Sequence, residues 1–157
     1  MPPVQLFRDL PERPVVHIEL SRWSLVKRGS DGRIDFIAPL PCPYNYGCIP
    51  HLASGDGDPL DVVVLGPRLP EGRILSLPVV GIIDFIDNGR PDPKVVCSAL
   101  PLSAADRAGL IAFFAVYARC KALLALVRGR NGATRSLGFF PERAWQRDVE
   151  EGSRDVA

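Results

Sequence analysis

The run Asp56-Gly57-Asp58-Pro59-Leu60-Asp61 sets three carboxylates within six residues, immediately before the apolar stretch Val62-Val63-Val64-Leu65. Gly57 and Pro59 keep the backbone there out of a helix, and the apolar stretch reads as a buried strand. Carboxylates this close, at the rim of a low-dielectric core, need shared protons or a cation. Hard divalent ions such as Mg²⁺ take oxygen ligands of this kind, together with waters and phosphates. Asp-Gly pairs are also ordinary turn formers, so a plain loop remains the competing reading of these residues taken alone. An EF-hand loop is excluded: counted from Asp56, its twelfth position is Pro67 rather than Glu.

The strands around this loop come from alternation and turn chemistry. Pro14-Val15-Val16-His17-Ile18-Glu19-Leu20 reads as a strand with an acid on one face of the pleat. Ser24–Arg28 and Arg33–Ile37, separated by Gly29-Ser30-Asp31-Gly32, read as a hairpin, which prolines at 39, 41 and 43 end. Ile74 to Phe85 supplies two short strands, broken near Pro78 and Gly81. A second acidic loop, Asp84 to Pro93, precedes the strand that Lys94 opens. One strong helix is expected from Ser103, whose hydroxyl and Asp106 form an S-x-x-D capping pattern. It carries Leu110, Phe113, Phe114, Tyr117, Lys121 and Leu124 at helical spacing and ends at Gly129. Arg128 to Arg135 is a basic loop without P-loop spacing and reads as a solvated connection. Leu137 to Trp145 is expected to dock a last turn.

Many short strands and one late helix predict an α+β, mainly β fold: a small closed OB-like β-barrel with a C-terminal helix packed against it. The 157 residues are expected to form a single domain, 1–157, with an ordered core of about 10–145. A net charge of +1 gives no global pull toward nucleic acid or an anionic membrane. The apolar stretch Leu110 to Val127 is interrupted by Arg119 and Lys121, and the first residues lack a signal-type apolar run, so a cytoplasmic protein is expected. Cys42, Cys48, Cys97 and Cys120 show no C-x-x-C spacing, which argues for reduced thiols rather than a zinc site.

Three motifs in order give the chain a resemblance. Asp56-Gly57-Asp58-Pro59-Leu60-Asp61-Val62, the upstream Pro43-Tyr44-Asn45-Tyr46-Gly47, and Asp87-Asn88-Gly89-Arg90-Pro91-Asp92-Pro93-Lys94 together resemble soluble family I inorganic pyrophosphatases, over about Val15 to Tyr117. The resemblance implies hydrolysis of pyrophosphate to two phosphates with several Mg²⁺ ions per site. It implies metal ligands at Asp56, Asp61, Asp87 and Asp92, with Glu19 beside a further ion. Asp58 is then the general base that activates a water, and Lys27, Tyr46, Lys94 and Tyr117 contact phosphate. A homo-oligomer is implied too, with a small-molecule substrate and no nucleic-acid or membrane partner.

The chain also departs from that pattern. Gly29 stands where the family has a second acid, Ile34 where it has an arginine, Cys42 where it has a tyrosine, and Ala118 where it has a lysine. Arg33, one residue from the lost arginine, is the expected replacement, because one bulge would return it to the same face. Two alternatives follow from the thinner grip on phosphate: hydrolysis of a larger phosphoanhydride, or a catalytically weak paralogue serving as a metal- or phosphate-binding partner subunit.

Overall fold

The computed structural model describes residues 9–28, 31, 33–54 and 57–141. Its strands are β1 (Val15–Leu20), β2 (Val26–Arg28), β3 (Ile34–Ile37), β4 (Asn45–Ala53), β5 (Pro59–Val64), β6 (Ile74–Ser76), β7 (Val79–Asp87), β8 (Arg90–Pro91), β9 (Lys94–Cys97) and β10 (Arg135–Pro141). A single long helix among the described residues, α1 (Ala104–Val127), lies between β9 and β10 in the chain.

β5 lies in the interior of the sheet, antiparallel to β4 and parallel to β9. Its side chains alternate between two apolar clusters: Leu60, Val62 and Val64 pack into one, and Val63 packs into the other, against Leu110, Phe114 and Ala118 of α1. β9 divides the same way, Val95 and Cys97 to the first cluster and Val96 to the second. A strand buried on both faces reads as an unbroken apolar run, which is why Val62-Val63-Val64 shows no polar alternation. The two-residue period then puts Asp61 on the face of Val63, Lys94 on the face of Val96, and Asp87 on the face of Ile83 and Phe85. All three share the side of the sheet that α1 covers.

Two residues fix how β4 crosses its neighbours. Gly47 has no room for a Cβ, which would run into the His17 carbonyl of β1. Asn45 is fully buried; its Nδ2 donates to the carbonyls of Val64 and Pro67 at 3.4 and 2.9 Å, and its Oδ1 accepts from the backbone N–H of Arg22 and Leu69 at 3.1 and 2.8 Å. All four hydrogen-bonding positions of the amide are used. The Asn88-Gly89 turn between β7 and β8 has positive φ at both residues, 52° and 82°, as a two-residue hairpin demands.

The closed barrel expected from the sequence is not what forms. The main sheet is open, in the order β10-β7-β9-β5-β4-β1-β6 with β8 on β7, while β2 and β3 pair only with each other in a separate two-stranded sheet. Closure requires the two edges to hydrogen-bond. Among the described residues β6 pairs with β1 alone and β10 with β7 alone. β6 has only three residues and is followed by Pro78, so that edge offers no long row of donors. The strand β10 replaces the last turn expected after Leu137, and Trp145 lies outside the described residues. Gly81 sits within β7, at a bulge opposite β9, rather than at a break.

α1 begins where the capping pattern places it. The Ser103 Oγ accepts from the Asp106 N–H at 3.0 Å, and the Asp106 Oδ2 accepts from the Ser103 N–H at 3.0 Å and from its Oγ at 2.7 Å. Phe113, Phe114 and Tyr117 stack with Phe85 and Tyr44 on the sheet face. By length and composition α1 is apolar enough to cross a membrane. Here one stripe of it is core, and Ile111, Val116, Leu123, Leu126 and Val127 are exposed.

The hydrogen bonds from Ser103 hold the Asp106 carboxyl below its ordinary value of 3.8. Its contribution is present above pH 3.8, where the unfolded chain ionises, and is lost as pH falls through the lower folded value. Asp106→Asn and Ser103→Ala are each expected to cost about 1 kcal/mol or less at pH 7. In urea unfolding the Asp106→Asn penalty shrinks as pH is lowered below 3.8.

Candidate active site

On the α1 side of the sheet a cavity of about 460 Å³ opens between β1, β2, β5, β7, β9 and α1. Its wall carries five carboxylates, Glu19, Asp58, Asp61, Asp87 and Asp92, against three ammonium groups, Lys27, Lys94 and Lys121. Lys94 is the most buried of these, with its side chain 4% exposed, and its Nζ lies 2.5 Å from both the Asp61 Oδ2 and the Asp92 Oδ2. The same ammonium faces the rings of Phe85 and Tyr46, at 5.6 and 6.0 Å from their centroids. Lys121 Nζ is 2.5 Å from Asp87 Oδ2 and 5.7 Å from the Tyr117 ring centroid. Thr134 Oγ1 donates to the other Asp87 oxygen at 3.1 Å. Lys27 pairs with Glu19 at 3.0 Å.

Burial and charge act against each other here. Burial alone would lower the Lys94 pKa, but the carboxylates of Asp61 and Asp92 outweigh it and hold the ammonium above its ordinary value. Burial pushes the Asp92 carboxyl up, and the neighbouring Lys94 offsets that only in part. Burial, reinforced by the adjacent aspartates, raises the phenols of Tyr46 and Tyr117, so both remain O–H donors throughout the physiological range. The site is therefore a set of ammonium groups and hydroxyl donors interleaved with acids, and because five carboxylates face three ammonium groups, an anion with several oxygens needs added cationic charge to enter it.

The sequence expectation of a gathered metal-binding cage needs correction. Among the described residues no group of three or more His, Cys, Asp or Glu side chains is placed to hold a metal ion. Asp61, Asp87, Asp92 and Glu19 do reach one cavity, but each is paired with an ammonium group that occupies the space between carboxylates. Asp56 lies outside the described residues.

Asp58, Lys27, Tyr46, Lys94 and Tyr117 line the cavity. Arg33 does not. The β2–β3 hairpin has a bulge, pairing Lys27 with Phe36 and then Arg28 with Ile34, yet the Arg33 side chain is 89% exposed and pairs with Asp31 at 3.8 Å. The cation that the sequence reading passed over is Lys121. Its signal was its spacing: four residues after Tyr117 it falls on the same helix face, one turn along. Ala118 is instead turned into the core cluster.

The family model described as inorganic pyrophosphatase matches residues 16–108. Among curated relatives, an inorganic pyrophosphatase of Mesorhizobium japonicum is 42% identical over 60 residues, 38% of this chain and 34% of the relative. One of Haemophilus influenzae is 32% identical over 97 residues, 60% of this chain and 52% of the relative. The matches thus span a third to about half of the length of these relatives. Among solved structures, the inorganic pyrophosphatase of Thermus thermophilus superposes with a TM-score of 0.69 at 25% identity, covering 92% of this chain and 91% of that one. That of Neisseria gonorrhoeae gives 0.69 at 23% identity, over 95% and 91%.

Removing the ammonium from a buried ion triad leaves two uncompensated charges. Lys94→Met is expected to destabilise the protein by about 3 kcal/mol. Adding Asp61→Asn and Asp92→Asn to it restores most of that loss, as measured by urea unfolding without added divalent cations.

Proposed function

This chain belongs to the inorganic pyrophosphatase family, and from that premise we propose that it hydrolyses inorganic pyrophosphate to two phosphates. The observation that carries the reading is the convergence of Lys94, Lys121 and Lys27 with the phenols of Tyr46 and Tyr117 on one cavity beside Asp58. Phosphoryl transfer asks little covalent chemistry of a protein, so positioning and charge neutralisation are the work to be done. A pyrophosphate entering the cavity offers Lys94 and Lys121 phosphate oxygens in place of carboxylates. The two phenols donate to the same oxygens and orient the bridging atom. Asp58, exposed at the start of β5 with its carbonyl accepting the Ser54 N–H at 2.7 Å, is the base that takes a proton from the attacking water. Retention of a carboxylate there favours an enzyme over a binding subunit.

Mg²⁺ is the finer part of the proposal. The donor chemistry fits, because the carboxylates of the wall are hard oxygen ligands; the spacing in this structure does not, for the reason given above. When bound with substrate, Mg²⁺ supplies charge neutralisation and a water of lowered pKa, and Asp61, Asp87, Asp92, Glu19 and Asp56 are the residues that would hold it. No further step is assigned to it. Cytoplasmic location and self-association belong to the same reading, and the exposed apolar residues of α1 support the second.

Phosphate release from pyrophosphate, assayed with and without Mg²⁺, tests the reading; release no faster than in buffer would sink it. Asp58→Asn lowers kcat by about a hundredfold or more. Lys121→Ala loses a charge-assisted contact and with it about ten- to a hundredfold in kcat/KM, whereas Arg33→Ala stays within about twofold because its side chain does not reach the cavity. Light scattering is expected to give a mass that is a multiple of 17.1 kDa.

A further inference from the structure

A second cavity, of about 560 Å³, adjoins the first and shares two of its wall residues, Asp87 and Lys121. Beyond that ion pair the lining changes character. Ile34, Ile37 and Pro39 of the β3 edge face Leu124 and Ala125 of α1, and Arg128 and Arg130 stand at the far end. Neither guanidinium has an ion-pair partner among the described residues. Tyr117, Lys121, Leu124 and Arg128 fall at i, i+4, i+7 and i+11 of the helix and its cap, so they form one stripe that runs from the first cavity into the second. At 1.5 Å per residue, Lys121 and Arg128 are about 10 Å apart along the axis.

Two properties of this annex decide what it can hold. Its length exceeds what the two phosphates of pyrophosphate can bridge, so a ligand that reaches from Lys121 to the arginines needs a further group. Half of its lining is apolar, and a chain of additional phosphates would leave that half without a partner while desolvating charge against it. A flat organic group suits both, because it covers the isoleucines and Leu124 and offers a face on which a guanidinium stacks. Resting on the phosphoanhydride hydrolysis argued above, we infer that the annex seats the organic half of a diphosphate ester, and that the substrate class includes nucleoside diphosphates. In that reaction water attacks the terminal phosphorus and the bond from that phosphorus to the bridging oxygen breaks. The bridging oxygen leaves with the inner phosphate as a nucleoside monophosphate, inorganic phosphate is released, and the water proton passes to Asp58.

The experiment compares hydrolysis of ADP, methyl diphosphate, tripolyphosphate and pyrophosphate by the full chain in Mg²⁺ buffer, alongside calorimetric binding of α,β-methylene-ADP. The variants are Arg128→Ala with Arg130→Ala, and separately Ile37→Asp, whose exposed position keeps folding out of the result. The expected result is ADP cleavage with kcat/KM well above that for methyl diphosphate, reduced about tenfold by either variant, with pyrophosphate turnover changed by less than about twofold. Pyrophosphate cleavage without ADP cleavage or methylene-ADP binding overturns the inference and leaves the proposed function standing. Tripolyphosphate cleavage that depends on the arginines while ADP is untouched overturns it in favour of an inorganic chain. Annex-dependent binding of methylene-ADP with no cleavage of any of the four upholds the binding site and overturns the hydrolase reading instead.

Discussion

Lys94 is buried at the start of β9 with a carboxylate from β5 and one from its own loop on its ammonium, and the rest of the site is arranged about that contact. A single buried ammonium requires compensation, and two acids supply it from elements that are adjacent in the sheet but 33 residues apart in the chain for the Asp61 pair. The triad ties β5 to the acidic loop before β9. It also settles the protonation of the neighbours: Lys94 stays charged, Asp92 is drawn upward by burial, and the phenols of Tyr46 and Tyr117 keep their protons. Phosphate oxygens can take over the role that the carboxylates fill only with added cationic charge, because the wall carries five carboxylates against three ammonium groups.

The sheet delivers these groups by a simple rule. On β5, on β9 and on β7 beyond its bulge at Gly81, one parity packs into the cluster on the far side and the other parity faces α1. Asp61, Asp87 and Lys94 all carry the second parity, and the aromatic stripe of α1 closes over them. A one-residue slip in any of these strands would exchange the polar and apolar sets, so the core's demand for Val62, Val63, Val95 and Val96 also fixes where the charges point.

α1 plays two roles along its length. Its first half supplies core, through Leu110, Phe114 and Ala118. Its second half carries Tyr117, Lys121 and the arginine at its cap along one stripe, which lines the two cavities together with Asp87 and, in the second, residues of β3.

The amino-acid sequence by itself determined the local chemistry. The apolar strand that opens at Pro59, the pairing of β2 with β3 before Pro39, the capping box at Ser103 and the Asn-Gly turn at Asn88 are set by neighbouring residues, and each stands where the pattern put it. What needed the tertiary structure was everything that depends on which distant group sits opposite. β4 was hidden by Pro43 and Pro50, because its pairing survives only through a bulge between Ile49 and Ala53. Whether the sheet closes depends on two edges nearly 60 residues apart, and no local signal reports that they fail to meet. The choice of cation has the same origin. Arg33 is nearer in sequence to the expected position, but its hairpin turns it to solvent, while Lys121, one helical turn past Tyr117, reaches Asp87 from α1. Sequence spacing fixes the face a side chain takes on its own element; only packing between elements decides which charges meet.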